Sequence, residues 1–444
     1  MVLNLFPYQE DGALFLAQRT RAGLFDSMGL GKTAQIIKAL DAGGLMRGII
    51  VCPASVRNVW PAEFRKFSTT PRKILKGLTN DDLNLWLRER VDVLIVSYEG
   101  ASKWHNEFQR DLRDFTVFDE SHALKNVSSN RTRRALGSDC SGAHGYARYG
   151  AYTFWASGTP MANDPSDIWT FLRFVGGTPL SFKNFAVRYF IAISQGMSTS
   201  YKPRRDTLPE LKEILARYSI RRTVEQVGIE LPPLWITTQE IEGSTTEINQ
   251  LLAAHPGLDT AITQAIEKGG LQKLDEMAGH VTTLRRLVGE AKAPVYAKQL
   301  IDELAGGKDK VVVFCAHKRP VEILCETLAH HGVGFVKIDG SVSDKARGEA
   351  VEAFQNKPEI KVFIGNIIAA GTGITLTAAP YLDMLESDWT PANNAQALKR
   401  VHRIGQTQHT HVRFISLAKS IDEQVSESVA RKTRAITEVQ GSEL

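Results

Sequence analysis

The sequence predicts an α/β protein of two parallel-sheet lobes with a helical region between them, and three observations lead there. Short apolar runs alternate with helix-like stretches in two separate blocks, the pattern of parallel sheets covered by helices. Most of these runs are continuously apolar, as strands buried on both faces must be. Between the blocks the chain turns helix-rich, and Pro232 and Pro233 in LPPL (231–234) mark a break.

In the first block the strand candidates are GLFD (23–26), GIIVCP (48–53), VDVLIVSY (91–98), FTVFDE (115–120) and TFWASG (153–158). In the second they are KVVVFCA (310–316), GFVKID (334–339), KVFIGN (361–366), YLDMLES (381–387) and HVRFISL (411–417). Their length and flanking glycines favour strands over buried helical turns. From roughly 165 to 295 the chain reads as helix-rich, with LPELKEILARYSIRR (208–222) and a polar helical stretch from about Ser244 to Glu290. GMSTSYKPRRD (196–206) reads as loop, and GSDCSGAHGYARYGAY (137–152) as an exposed, partly flexible loop. The expected organisation is a first lobe over 1–235 with a helical protrusion at about 165–230, a helical linker over 236–294 and a second lobe over 295–444. The hinge is expected near the two prolines.

A chain of 444 residues with 43% hydrophobic and 23% charged residues is ample for two or three folded domains. No run is long and apolar enough to span a bilayer, and MVLNLFPYQEDG lacks a basic region followed by an apolar stretch. A cytoplasmic or nucleoid-associated place in a bacterial or phage-infected cell is expected. Cys52, Cys140, Cys315 and Cys325 form no CxxC pair, so reduced buried thiols are expected rather than a zinc site. The net charge of +5 permits nucleic-acid binding but equally fits an ordinary basic surface.

The chemistry is carried by three segments. In DSMGLGKT (Asp26–Thr33) a strand ends at Asp26 and a helix opens at Lys32, which is the setting a phosphate loop requires. Gly29 and Gly31 would let the backbone approach phosphates, Lys32 would reach the β- and γ-phosphates, and the Thr33 hydroxyl would ligate magnesium. Asp26 breaks the strict GxxxxGK[ST] pattern at its first glycine. DESH (Asp119–His122) follows the apolar FTVF, so Asp119 ends a strand where α/β sheets bind ligands. Asp119 would hold the metal and Glu120 would orient or deprotonate the attacking water. In QALKRVHRIGQ (396–406), Arg400 and Arg403 stand three apart, expected on one helical face and suited to phosphoryl-transfer charge. As the second block supplies them, catalysis would need the lobes to close on ATP. Gln9 in LFPYQ offers both a donor and an acceptor to an adenine edge.

With these residues assembled, the chain resembles the Snf-type branch of superfamily-two helicases, the double-stranded DNA translocases. The resemblance runs nearly the whole length in order: LFPYQ, DSMGLGKT, IIVCPASVRNVW, IVSYE, DESHALKN, SGTP, VVVFCAHK, IDGS, AAGTGITLTAA and DWTPANNAQALKRVHRIGQ. DESHALKN and DWTPANN are most similar to the annealing-helicase (HARP-like) subgroup. The resemblance implies RecA-like lobes, ATP with Mg2+ as cofactors and duplex or forked DNA as partner. It adds Met28, Leu30 and Gly373 to the nucleotide contacts. It further implies DNA-contacting or coupling roles for Pro53, Ser97, Tyr98, Ser157, Gly158 and Thr159 in the first lobe. In the second it implies them for His317, Lys318, Asp339, Gly340, Ser341, Gly371, Thr372, Trp389 and Gln396. Such contacts go mainly to phosphate and sugar, giving salt-sensitive, sequence-independent binding. Trp389 fits a core position equally well. Arg221 and Arg222 match a basic pair before the lobe junction, with a role in bracing the lobes. Asp26 is usual in this branch, whereas Ser27 replaces a customary acidic residue. Two rivals stay open: an RNA-directed helicase of the same superfamily, and an ATP-gated nucleic-acid clamp that does not cycle.

Overall fold

The computed structural model describes residues 3–89, 91–161, 164–195, 198–268, 277–340, 342–367 and 374–439. The chain divides into two compact units, Met1–Gly228 and Ile229–Leu444. Each is built on a parallel sheet of its own with helices on both faces, the RecA-like α/β architecture that the sequence predicts. Among the described residues no helix is long and apolar enough to cross a membrane.

The first unit contains β1 (Arg21–Leu24), β2 (Gly48–Cys52), β3 (Ile74–Gly77), β4 (Val93–Ser97), β5 (Arg113–Asp119), β6 (Gly150–Ala156), β7 (Phe190–Gln195), β8 (Ser198–Pro203) and β9 (Ser219–Ile220). Its sheet runs β3-β4-β2-β5-β6-β1-β9, parallel throughout. Successive residues of a strand face opposite ways, and β2 shows the result. Ile49 and Val51 enter one core with Phe118 and Trp155, while Ile50 and Cys52 enter another with Ile36 and Trp60. All of these are buried, which is why the run is continuously apolar.

Two loop expectations are corrected here. Part of 196–206 is β8, paired antiparallel with β7. The 137–152 segment is no exposed loop: Cys140, Tyr146 and Ala147 are buried, and the Tyr146 ring packs 5.8 Å from Phe108 and 6.1 Å from Phe118. Burying those aromatic and small side chains outweighs the turn-forming glycines in the same stretch. Gly145 lies so close to the preceding helix that a Cβ would meet the Ala135 carbonyl oxygen at 2.1 Å. Backbone cannot yield as a side-chain tip does. Gly145→Ala is therefore expected to cost about 3 kcal/mol, the upper end of ordinary overpacking, read as a lowered denaturant midpoint.

The second unit contains β10 (Leu234–Ile241), β11 (Val311–Cys315), β12 (Gly334–Ile338), β13 (Ile360–Asn366), β14 (Tyr381–Met384) and β15 (Thr410–Leu417), ordered β10-β15-β14-β11-β13-β12 and again parallel. Val312 and Phe314 enter one core, and Val311, Val313 and Cys315 the other. The helices expected after Ser244 are Thr246–Ala254, Leu258–Lys268 and Ala278–Ala305. Their Ile248, Ile262, Leu284 and Val288 belong to the second unit's core. β10 begins directly after the prolines, and the division between units falls at Gly228/Ile229, ahead of the boundary expected at 235.

Candidate functional site

The phosphate loop lies between β1 and the helix Lys32–Ala42. Gly29 (φ 89°) and Gly31 (φ 71°) occupy the left-handed region, where a side chain is strained. Gly31 is the N-cap of the helix, so the free N–H groups of the first turn start at the loop. The Lys32 ammonium donates to the carbonyls of Asp26 (2.8 Å) and Ser27 (3.3 Å), inside the loop's curve. Gln9 is packed against the same loop: its Nε2 donates to the Leu30 carbonyl (3.2 Å), and its Oε1 accepts from Phe6 N–H (3.0 Å). Its amide thus already has a donor and an acceptor engaged within the protein.

β5 delivers the acidic pair. Asp119 ends the strand, and Glu120 then turns into the left-handed region at φ 51°. Asp119 accepts from Trp60 Nε1 (2.9 Å) and from Glu120 N–H (3.0 Å). Burial and then the Glu120 charge raise its carboxyl to about 6, against the Trp60 hydrogen bond and the Lys32 charge. Directly after β6, Ser157 Oγ lies 3.2 Å from His122 Nδ1, which is itself 3.4 Å from Glu120 Oε2. The next residue, Gly158, passes so close to the loop that a Cβ would meet Met28 Cγ at 2.6 Å and Lys32 Nζ at 3.4 Å. Thr159 N–H donates to Ser157 Oγ (3.1 Å). The carboxyl ends of the neighbouring strands β5, β6 and β1 therefore bring DESH, SGTP and DSMGLGKT together.

Tyr98, expected to approach DNA or to couple to it, is not on the surface. It is buried, stacks on Phe118 and donates to the Asp119 carbonyl at 2.9 Å, so its hydroxyl supports the acidic turn from beneath. Ser97 caps the short helix after β4 by accepting from Gly100 N–H (3.1 Å), and half-buried Pro53 follows β2.

Sequence reading missed the partner of Asp26. The Asp26 side chain is fully buried, and a buried carboxylate needs a paired cation. Arg222 supplies it in a fork, Nε to Oδ1 at 3.0 Å and NH2 to Oδ2 at 2.6 Å. This contact lies wholly within the first unit, so Arg222 is tied to the phosphate loop where a bracing of the lobes was expected. The pair is 196 positions apart in sequence, and the only available signal was the acidic residue standing where a glycine is usual.

In the second unit His317 begins the helix Lys318–His330, with its Nδ1 2.7 Å from Glu386 Oε1 and its N–H bonded to Glu386 Oε2 (3.0 Å). Lys318 and Gly340 are exposed, and Asp339 is 3.3 Å from Lys337. Trp389 is half-buried and packs against the core with the Arg285 guanidinium 4.9 Å from its ring centroid. Gln396 is half-buried on the helix Pro391–Leu398. That helix ends before Arg400 and Arg403, so the shared helical face expected for them is absent. They lie in successive turns fixed by Gln406 Nε2 on the Ala379 carbonyl (2.9 Å), His402 Nε2 2.8 Å from the Pro232 carbonyl oxygen, and Gly405 at φ 99°. Arg403 NH1 donates to Thr375 Oγ1 (3.0 Å). Ser341, Gly371, Thr372 and Gly373 lie outside the described residues.

The first unit's donor set fits a magnesium nucleotide. Hard carboxylate oxygens at Asp119 and Glu120 and the Thr33 hydroxyl suit Mg2+, which takes few protein ligands and completes its shell with phosphate and water. Among the described residues no group of three or more His, Cys, Asp or Glu side chains forms a metal cage. A phosphate loop, an acidic strand end and a serine–glycine backbone against the loop define the class as a helicase-like ATPase. Residues 8–250 match the SNF2-related domain, and residues 295–405 match the helicase conserved C-terminal domain. The chain belongs to the SNF2-related family.

It is 28% identical over 451 residues to the SWI/SNF-related matrix-associated actin-dependent regulator of chromatin subfamily A-like protein 1 of Drosophila melanogaster, covering 98% of this chain and 56% of that protein. The Xenopus laevis protein of the same name is 29% identical over 450 residues, with 98% and 44% covered. The ISWI chromatin-remodeling complex ATPase CHR11 of Arabidopsis thaliana is 27% identical over 444 residues, with 92% and 40% covered. The chain thus spans about half the length of the curated relatives it matches. Among solved structures, the Sulfolobus solfataricus SWI2/SNF2 ATPase core in complex with dsDNA is 22% identical, with a TM-score of 0.46 over 99% of this chain and 93% of that one.

Proposed function

We propose that this chain is an ATP-dependent duplex-DNA translocase of the annealing-helicase kind, in which hydrolysis drives lobe closure and movement along the DNA backbone. The observation that carries the reading is that Lys32 and Gly158 meet at one phosphate loop while Glu120 is linked to the same SGTP segment through His122 and Ser157, in a chain of the SNF2-related family. Lys32 neutralises phosphate charge, and the helix-start N–H groups orient the anion. Mg2+, held by Thr33 and Asp119, would stabilise charge on the phosphates. Glu120 takes the proton of the attacking water. Its neighbour His122 and Ser157 connect that event to the SGTP backbone. Arg400 and Arg403 of the second unit stabilise the developing charge on the transferred phosphoryl group. Exposed Lys318 and Gly340, with half-buried Pro53, Ser97 and Gln396, are the proposed backbone-contacting or coupling positions. Tyr98 acts from within the fold, and half-buried Trp389 stays among the coupling positions.

Steady-state ATP hydrolysis without nucleic acid and with single-stranded DNA, duplex DNA, forked DNA and RNA tests the reading. Stimulation of about ten-fold or more by duplex or forked DNA is expected, with a steep loss at raised salt. Stimulation by RNA alone would transfer the protein to the RNA-directed branch. ATP binding with no turnover on any of these would identify a clamp.

A further inference from the structure

The Leu30–Gly31 peptide of the phosphate loop is held from one side by three donors. Leu30 O accepts from Tyr8 OH (3.2 Å), Gln9 Nε2 (3.2 Å) and Gln35 Nε2 (3.1 Å). A peptide unit is planar and trans, so fixing this carbonyl fixes the Gly31 N–H in the opposite direction. That N–H belongs to the set from which the loop draws its phosphate donors.

Arg222 anchors two of those three donors. Its NH2 donates to Gln35 Oε1 (2.8 Å) as well as to Asp26 Oδ2, while Gln35 Nε2 donates to the same Asp26 oxygen (3.0 Å). Its NH1 donates to the Tyr8 carbonyl, and its guanidinium lies 5.3 Å from the Tyr8 ring centroid. The backbone around Arg222 extends the sheet beyond β9. Phe25 N–H donates to Ile220 O (2.8 Å), Ser27 N–H to Arg222 O (2.9 Å), and Arg222 N–H to Asp26 Oδ1 (3.0 Å). The segment 219–222 thus lies alongside β1 and the start of the loop, shortly before the chain leaves the first unit at Gly228. Gly12 completes the arrangement. It sits inside the helix Pro7–Ala17, and a Cβ there would meet Gln35 Oε1 at 1.9 Å and Arg222 NH2 at 2.6 Å.

We propose that Arg222 is a positioning residue of the nucleotide site, which through Asp26, Gln35 and Tyr8 sets the Leu30–Gly31 peptide and so places the phosphate affinity of the loop under the control of the segment that exits the first lobe. This rests on the reading of the loop as an ATP site. A guanidinium is required, because a lysine ammonium cannot fork onto Asp26 while also reaching Gln35 and Tyr8.

The test measures the KM for ATP and kcat at saturating duplex DNA, together with the Kd for a fluorescent ATP analogue. The variants are Arg222→Lys, Arg222→Gln and Gly12→Ala, with Lys32→Ala as control. KM and Kd are expected to rise about ten-fold, the equivalent of about 1.4 kcal/mol of binding, with a much smaller change in kcat. Arg222→Lys is expected not to restore affinity. Gly12→Ala should reproduce the rise although it removes no charge and should otherwise favour the helix. Unchanged KM and Kd in these variants, or a fall in kcat with KM constant, would overturn the assignment. Should the Arg222 variants fail to fold, Gly12→Ala decides. If the wild type binds the analogue and Lys32→Ala does not while Arg222→Gln and Gly12→Ala bind normally, this inference fails and the ATP reading stands. If the wild type does not bind the analogue, the ATP reading itself fails.

Discussion

Lys32→Ala and Glu120→Gln are each expected to lower DNA-stimulated phosphate release by about a hundred-fold or more, the scale of a lost general base or charge-stabilising group. DNA binding should stay close to wild type. Lys32 lies against the Asp26 and Ser27 carbonyls, so removing it takes the loop's own ammonium away from two carbonyl oxygens that repel phosphate. Glu120 projects from the left-handed residue that follows β5, and glutamine keeps its size while taking away the basic oxygen. Phosphate release and fluorescence anisotropy on labelled duplex separate the two properties. Wild-type turnover in either variant would remove the residue from the site, and a parallel loss of DNA binding would point to damage beyond it.

Arg413→Met is expected to destabilise the second unit by about 3 to 5 kcal/mol, the cost of leaving one member of a buried ion pair without the other. Arg413 on β15 donates to Asp383 through Nε (2.7 Å) and NH2 (2.5 Å), and to Glu303 through NH1 (2.7 Å) and NH2 (2.9 Å). Asp383 on β14 is fully buried and also accepts from Tyr296 OH (2.6 Å), so its charge would be left to the more distant Lys308 ammonium at 4.0 Å. The same cluster gives the unit an acid limit. Burial alone would raise the Glu303 carboxyl, but hydrogen bonds from Arg413, Lys308 and Gln299 outweigh it and bring the group from 4.5 down to about 2. A depressed carboxyl contributes stability that is complete above its unfolded value and is lost as pH falls through the folded one. Denaturant midpoints of the wild type should therefore drop between about pH 4.5 and 2, and Glu303→Gln should flatten that decline. A pH-independent midpoint there, or an Arg413→Met protein as stable as wild type, would show that the cluster carries no such weight.

How much of this was legible in the sequence follows from where each residue lies. The strands at the sheet centres announced themselves because both faces are buried, as in GIIVC and VVVFC. β3, β9 and β10 did not: they are short, or they alternate exposed and buried positions at a sheet edge, as β10 does with Trp235 outside and Ile236 inside. The 137–152 segment misled because glycines and serines signal turns, while the side chains that hold it, Cys140 and Tyr146, are too far apart to show a period. The placement of Lys32 at a helix start and of Asp119 at a strand end was readable because such element order is local. Arg222, the buried placement of Tyr98 and the turn at Arg400 and Arg403 depend on partners remote in the chain, which neither spacing nor propensity encodes.

The separate cores on the two faces of each sheet bear on what is meant by the stability of this chain. Ile49, Val51, Ile50 and Cys52 bury against the first unit's own helices, and Val311 to Cys315 against the second's. Each half therefore has the internal packing of a domain, and two cooperative transitions are the expected outcome of calorimetry. A single Tm for such a chain is an average over two events. A nucleotide held at Lys32 raises the event that belongs to the first half. Gly145→Ala and Arg413→Met act on different halves, and their costs should appear in different parts of one melting curve.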